Sequence, residues 1–533
     1  MTTRFSLLRV GLGVVLLLPA SFAWAQKDSA NVRQAITSLR DPRPDVREKS
    51  AETLAAIGPA AAPAVNALLS CLDDKDAYVS GKAVEALSRI GTPALPGLIG
   101  TLRAGTANAR WAATIALAKM GPVASSAVPA LVHTLTDSGD LVRWGSVMAL
   151  GNIGTNAREA VPALLNALSD RDEDVRREAS RVIDSLDPSA VEAPPDWKSV
   201  AAIMDTLVPR LMRETHVPGA AIVLISDREL VRSNHFGIAD AGSRDPVTRE
   251  TMFEACSMSK PVLAYLVMTL AQQGKLDLDK PLVDYLDLPS LRGQPGHERI
   301  TARMALSHTT GLPNWRKGEE ERDGPLPLLF TPGKMFSYSG EGIFYLQKVV
   351  EQITGEPLES YAQWTLFAPL GLKHTSFTWE EKFDAIIAGG HDAGGQPLGK
   401  TRYTHPNAAY SLYVSAEDYA RFLLTILSPR PAAPHLLTSS LIDTMLSHQV
   451  VADTREPVQR AGRARAHGVF WGLGWCINST SQGDIVHHSG SNRSGFRCFS
   501  QFSPSRGSGI VIMTNSAGGT ELWTRLVSRI GNL

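Results

Sequence analysis

Between residues 30 and 190 the apolar positions recur in a fixed frame. Asp45-Val46-Arg47, Tyr78-Val79-Ser80, Asn108-Ala109-Arg110, Leu141-Val142-Arg143 and Asp174-Val175-Arg176 align, with central residues 33, 30, 33 and 33 positions apart. Twelve residues after each of the first four central residues stands a glycine: Gly58, Gly91, Gly121 and Gly154. Pro63, Pro96, Pro129 and Pro162 follow. Within a unit Val79, Val84, Leu87 and Ile90 fall at helical spacing. Each unit therefore predicts a helix, a glycine stop in a left-handed C-cap, a proline start and a second helix. One such pair cannot bury both faces, so neighbouring units stack into an all-α solenoid over 30–190.

Pro188, Pro194 and Pro195 interrupt this texture, and residues 191–198 read as a linker. A different pattern fills 199–533. Residues 199–215 predict a helix. Gly219 to Ser226 predicts a buried strand, Asp227-Arg228 a turn, and Leu230 to Ile238 its hairpin partner. Gly468 to Ile477, Ile485 to His488, Gly495 to Phe502 and Gly509 to Thr514 predict further strands, and 519–530 a closing helix. The middle is mostly helical. Strands from both ends around a helical insertion predict an α+β domain with an antiparallel sheet, in a multidomain chain.

Residues 1–25 carry Arg4 and Arg9, an apolar run from Val10 to Leu18, and Ala23-Trp24-Ala25 before Gln26. The run is short of the roughly 20 residues that span a bilayer. This is a secretory signal pattern, so the expected location is periplasmic or secreted. No later segment reads as a membrane span. Hydrophobic residues make up 44% of the 533 positions, which excludes a disordered chain. Lys plus Arg and Asp plus Glu are 53 each, which leaves no electrostatic footprint for nucleic acid. Only four cysteines occur: Cys71, Cys256, Cys476 and Cys498. Cys256 reads as a small apolar residue. Cys476 and Cys498 both lie in predicted strands, and a disulfide bridging them as neighbours stays open.

The chemistry centres on Phe253-Glu254-Ala255-Cys256-Ser257-Met258-Ser259-Lys260-Pro261. Ser257 sits at the start of a predicted helix running to Gly274, where unpaired N–H groups favour negative charge. Lys260, three residues on, shares its face. A buried lysine loses its charge easily and can accept the serine proton. No other lysine in the chain has a serine three residues before it. A serine here also fits a plain N-cap role, so the surroundings matter. Downstream, Pro332-Gly333-Lys334-Met335-Phe336-Ser337-Tyr338-Ser339-Gly340 places a tyrosine in a turn before a helix, and His487-His488-Ser489-Gly490-Ser491-Asn492 follows a strand. Ser307 to Pro313 and Trp471 to Trp475 are further marked segments. Ser259 lacks a lysine at the same offset. No G-x-S-x-G, H-E-x-x-H or C-x-x-C is present. His487 and His488 face opposite sides of a strand and make no metal pair. Glu319-Glu320-Glu321 reads as a solvated loop.

The repeats resemble short HEAT repeats. Residues 199–530 resemble the serine β-lactamase, penicillin-binding-protein and carboxylesterase superfamily, most closely its class C-like branch. The resemblance implies Ser257 as nucleophile, Lys260 as proton acceptor and Tyr338 as proton shuttle to the leaving group. It places His488, Gly490 and Ser491 at the substrate wall, with His488 as a cation or hydrogen-bonding group and the Ser491 N–H beside that of Ser257 in an oxyanion hole. One departure stands out: the asparagine of the family's Tyr-x-Asn is Gly340 here, which disfavours β-lactam turnover. The implied activity is hydrolysis of a small ester, a D-amino-acid peptide or a β-lactam, without metal or organic cofactor. Two other readings stay open. Acyl transfer to an amine is one, and a protein-binding solenoid scaffold with an idle catalytic site is the other.

Overall fold

The structure is a computed structural model, and it describes residues 20–187, 197–316, 325–427, 436–452, 468–480 and 482–531. Most of the expected export signal, most of the linker and the acidic loop at 319–321 lie outside the described residues. The chain divides into two compact units, Met1–Ala190 and Val191–Leu533.

In the first unit, 14-residue helices Pro44–Ile57, Ala77–Ile90, Ala107–Met120, Asp140–Ile153 and Glu173–Leu186 carry the aligned triplets. Val79, Ala109, Val142 and Val175 point inward and are buried. Gly58, Gly91, Gly121 and Gly154 end the first four helices at φ of 68, 79, 60 and 73°. Their ψ values, between −134 and −147°, place them in the mirror-β region and not in the left-handed helical one expected from sequence. Glycine alone enters that region cheaply. 3₁₀ turns follow, then Val65–Ser70, Leu95–Ala104, Val128–Thr134 and Val161–Ala167. Pro96, Pro129 and Pro162 sit in the first turn of the last three.

The repeated spacing also locks unit to unit. Arg47, Arg110 and Arg143 each grip the aspartate 27 residues on, Asp74, Asp137 and Asp170, with paired hydrogen bonds of 2.7–2.8 Å. Two helical stretches, Pro44–Asp73 and Ala107–Thr134, are long and apolar enough by composition to cross a membrane, contrary to the sequence reading. Each is interrupted by a glycine-led 3₁₀ turn, so neither is one continuous helix.

The second unit is built on an eight-stranded antiparallel sheet. Across it run Glu229–Gly237, Gly219–Ser226, Ser508–Thr514, Arg497–Ser503, Gly483–Ser491, Cys476–Thr480, Gly468–Trp471 and Val450–Val451. Strand Gly219–Ser226 is apolar and buried up to Ile225 because both its faces are covered. Ala220, Ile222 and Leu224 pack with helices Trp197–Glu214 and Gly519–Ile530. Ala221, Val223 and Ile225 face the helical middle, led by helix Ser259–Gln272. Each large side chain so buried contributes roughly 1.5–3 kcal/mol.

Three expectations need correction. The run Gly468 to Ile477 is not one strand. It turns at Gly472–Trp475, where Gly474 has φ 85°. Cys476 and Cys498 are not on neighbouring strands, since Gly483–Ser491 lies between theirs. That puts their backbones roughly 10 Å apart, too far for a disulfide. None of the four cysteines forms a disulfide. Third, Met252–Glu254, Tyr413–Ser415 and Thr375–Ser376 form a small separate sheet that sequence periodicity did not show.

Candidate active site

From Thr251 to Leu270 every residue is buried except Ser257. The chain enters through strand Met252–Glu254 and twists at Cys256, whose φ is 54°. It passes a 3₁₀ turn, Cys256–Met258, into the helix Ser259–Gln272. Pro261 falls in the first helical turn, where no N–H is missed. This geometry lifts one hydroxyl out of an otherwise closed surface.

Lys260 is 1% exposed. Its Nζ donates to Ser257 Oγ at 3.1 Å and to the Ala409 carbonyl at 2.7 Å. It also stands 4.8 Å from the Tyr338 ring centre. Burial pushes the ammonium down to about 7, so a large fraction is free base near neutral pH. Ser259 is fully buried. Its hydroxyl donates to the Cys256 carbonyl and accepts from the Leu412 N–H, which is a structural role.

Strand Gly483–Ser491 lies against the nucleophile turn. A Cβ on Gly490 would stand 2.3 Å from the Ala255 carbonyl oxygen, so only glycine permits this approach. Ser491 follows at the exposed end of the strand. The turn after it is tied down by Glu254, a buried carboxylate. One of its oxygens accepts from Tyr403 at 2.8 Å, Asn492 at 2.8 Å and Ser494 at 2.7 Å. Beside it, Cys256 and Cys498 both direct Sγ at the Glu254 carbonyl, at 3.2 and 3.3 Å. Sequence reasoning gave Glu254 no role, since its partners lie far along the chain.

His487 and His488 do face opposite sides. His487 lies with Phe499, while His488 stands among Tyr338 and Trp471. Burial, reinforced by the Lys260 charge, pushes His488 down to about 3. Of the two roles the resemblance offered His488, burial favours the neutral hydrogen-bonding one over the cationic one. Its Nδ1 donates to the Ser489 carbonyl at 2.7 Å, which leaves Nε2 as a buried acceptor.

Tyr338 precedes helix Gly340–Thr354, capped by Ser339. The Gly340 N–H donates to Asn314, and the Trp315 ring lies directly against the missing side chain. Trp315 meets Tyr410 at 5.6 Å, edge to face. Ser257, Lys260, Tyr338 and His488, far apart in sequence, thus surround one position. Among the described residues no cluster of histidine, cysteine and acidic groups is suited to hold a metal ion.

Residues 204–530, well over half of the chain, match the family described as Beta-lactamase. The chain belongs to the β-lactamase family. Residues 32–118 and 95–184 match HEAT repeats. A β-lactamase of Pseudomonas fluorescens is 25% identical over 354 residues, covering 59% of this chain and 93% of that protein. Esterase EstB of Burkholderia gladioli is 27% identical, covering 49% of this chain and 78% of the esterase. In fold, the β-lactamase-family unit is similar to the D-alanine carboxypeptidase AmpC of Burkholderia cenocepacia. The TM-score is 0.53 at 21% identity, over 63% of this chain and 99% of that one. The chain is a β-lactamase-fold serine hydrolase with an N-terminal helical repeat unit.

Proposed function

We propose that the protein is an exported serine hydrolase that cleaves esters of small molecules through an acyl-Ser257 intermediate. The observation that carries this is the Lys260 Nζ, buried and 3.1 Å from the one accessible hydroxyl of its segment. Ser257 Oγ attacks the ester carbonyl carbon and its proton passes to Lys260. The oxyanion is held by the N–H groups of Ser257 and Ser491. Tyr338 delivers a proton to the departing alkoxide. Lys260 passes its proton back to Tyr338; water then attacks the acyl carbon and gives a proton to the same pair, which delivers it to Ser257 Oγ as the acyl–oxygen bond breaks and the acid leaves.

Two features favour an ester over a β-lactam or D-peptide. Gly340 offers no side-chain amide to a substrate amide. A neutral His488 offers no charge to a substrate carboxylate. The relative named as an esterase agrees with this preference. Export rests on the Arg4, Arg9 and Ala23-Trp24-Ala25 pattern. The repeats supply a surface for a protein partner, with Tyr78 75% and Leu141 56% exposed at equivalent positions of the second and fourth units. The test is labelling by a fluorophosphonate, followed by peptide mapping and p-nitrophenyl ester turnover. Label on Ser257 with turnover supports the reading. Label elsewhere, or none, removes it.

A further inference from the structure

His308 belongs to the segment Ser307 to Pro313, to which no chemistry has been assigned. It is fully buried, with φ 56°, a left-handed conformation uncommon outside glycine. That twist lets one residue hold both neighbours of Tyr338. The His308 carbonyl accepts from the Ser337 N–H at 2.8 Å. Its Nδ1 accepts from the Ser339 N–H at 3.1 Å. Between these two bonds its ring lies 4.3 Å from the Tyr338 ring, tilted by 38°. Two residues earlier, the Leu306 carbonyl accepts from Trp471 Nε1 at 3.2 Å and from the Gly474 N–H at 2.9 Å. One short segment therefore fixes the tyrosine loop and the aromatic strand together.

The tautomer follows from these partners. Nδ1 faces an N–H donor, so it carries a lone pair and the proton sits on Nε2. That Nε2 is buried with no hydrogen-bond partner among the described residues, in an aromatic setting of Phe336 and Trp471. An unpartnered donor is costly, and it persists here because the ring is committed to Ser339 through its other nitrogen.

We propose that His308 is a positioning residue for Tyr338, clamping the tyrosine backbone on both sides as a neutral imidazole so that the phenol stays aligned for proton transfer. Protonation would place an N–H against the Ser339 N–H and break the clamp. Lys260, His488 and Tyr338 are the titratable groups that face it. Burial first, then the Lys260 charge, hold its pKa well below the ordinary value, in accord with a clamp that stays closed. The inference rests on the acyl-Ser257 reading, and wild-type labelling at Ser257 serves as the control that separates the two.

The experiment compares His308→Ala, His308→Phe and His308→Asn in the full chain, with kcat expressed per labelled Ser257. Asparagine tolerates the left-handed backbone and offers an acceptor near the place of Nδ1. Alanine and phenylalanine should lower kcat about 100-fold with little change in KM, the scale of a misaligned catalytic group. Asparagine should recover most of that loss. Unchanged kcat per site in His308→Ala, or no recovery in His308→Asn, would overturn the proposal. Should the variants fail to fold, ¹⁵N chemical shifts of wild-type His308 decide. A proton on Nδ1 between pH 6 and 9 would refute the clamp, and a bare Nδ1 with Nε2 protonated would support it.

Discussion

The Trp315 ring occupies the space a side chain on Gly340 would need. A Cβ there would stand 2.5 Å from Trp315 Cζ2, 2.6 Å from Cη2 and 2.8 Å from the Asn314 carbonyl oxygen. The absence of an amide at this position is thus coupled to an aromatic neighbour, which a single substitution does not undo. Gly340→Asn should give no gain in β-lactam turnover, measured with nitrocefin, and should lose at least about tenfold in ester kcat/KM. Overpacking of this kind costs roughly 1–3 kcal/mol. Gly340→Asn with Trp315→Ala should recover part of the ester rate. A lactamase gain in the single variant would contradict the coupling.

This relationship was not legible in the sequence, although Gly340 itself was. Asn314 and Trp315 are some 25 residues away, in a loop without periodicity. The same holds for the Ala409 carbonyl that anchors Lys260 and for the bonds of His308 to the tyrosine loop. What the sequence did carry was local or periodic. The 33-residue frame marked the solenoid helices, and Gly219–Ser226 was marked by continuous apolar character. Ser257 and Lys260 were readable because one helical turn joins them. The three-residue strands of the small sheet were too short to show a period, and the Gly472–Trp475 turn was hidden inside an aromatic run.

Lys260 should set the acid limb of activity. As proton acceptor it must be uncharged, and its ammonium dissociates at about 7. Ester kcat/KM should therefore rise with pH, reach half its maximum near 7, and level off above. Between 7 and the unfolded lysine value near 10.4 the unfolded chain binds the extra proton, so stability from this group also rises with pH. A profile flat from pH 5 to 8 would contradict this role. His488, held neutral by burial, should add no second transition. The ratio of kcat/KM for an anionic ester to that for a neutral one should stay constant from pH 5 to 8, apart from the substrate's own titration.

Ser257→Ala and Ser259→Ala should part cleanly. The first removes the attacking oxygen and should abolish fluorophosphonate labelling without loss of folding. The second removes a hydroxyl that bridges Cys256 and Leu412 inside the core. Its cost is stability, about 1–3 kcal/mol from the buried N–H and carbonyl left behind. Labelling per folded molecule should remain near wild type, as read by intact mass after removal of aggregates. Equal loss of labelling in both folded variants would mean the nucleophile is misassigned.

The arginine ladder makes a prediction confined to the repeat unit. The Arg143 side chain is only 4% exposed and that of Asp170 10%. Arg143 also donates to the Asp137 carbonyl at 3.0 Å. In Asp170→Ala the guanidinium stays buried with two donors unmatched, a situation that costs about 3–5 kcal/mol. In the double variant Arg143→Met with Asp170→Ala no charge is stranded and an apolar stem fills much of the space, so the loss should be smaller. The single variant should therefore be the less stable of the two, although it carries fewer changes. Hydrogen exchange resolves the effect by region. Amides of Asp140–Ile153 and Glu173–Leu186 should exchange faster in Asp170→Ala, while those of Ser259–Gln272 should not. Ester turnover at 25 °C should persist, because Ser257, Lys260 and Tyr338 all belong to the other compact unit. If turnover fell in step with the loosened repeats, the solenoid would have to be counted as part of the catalytic machinery.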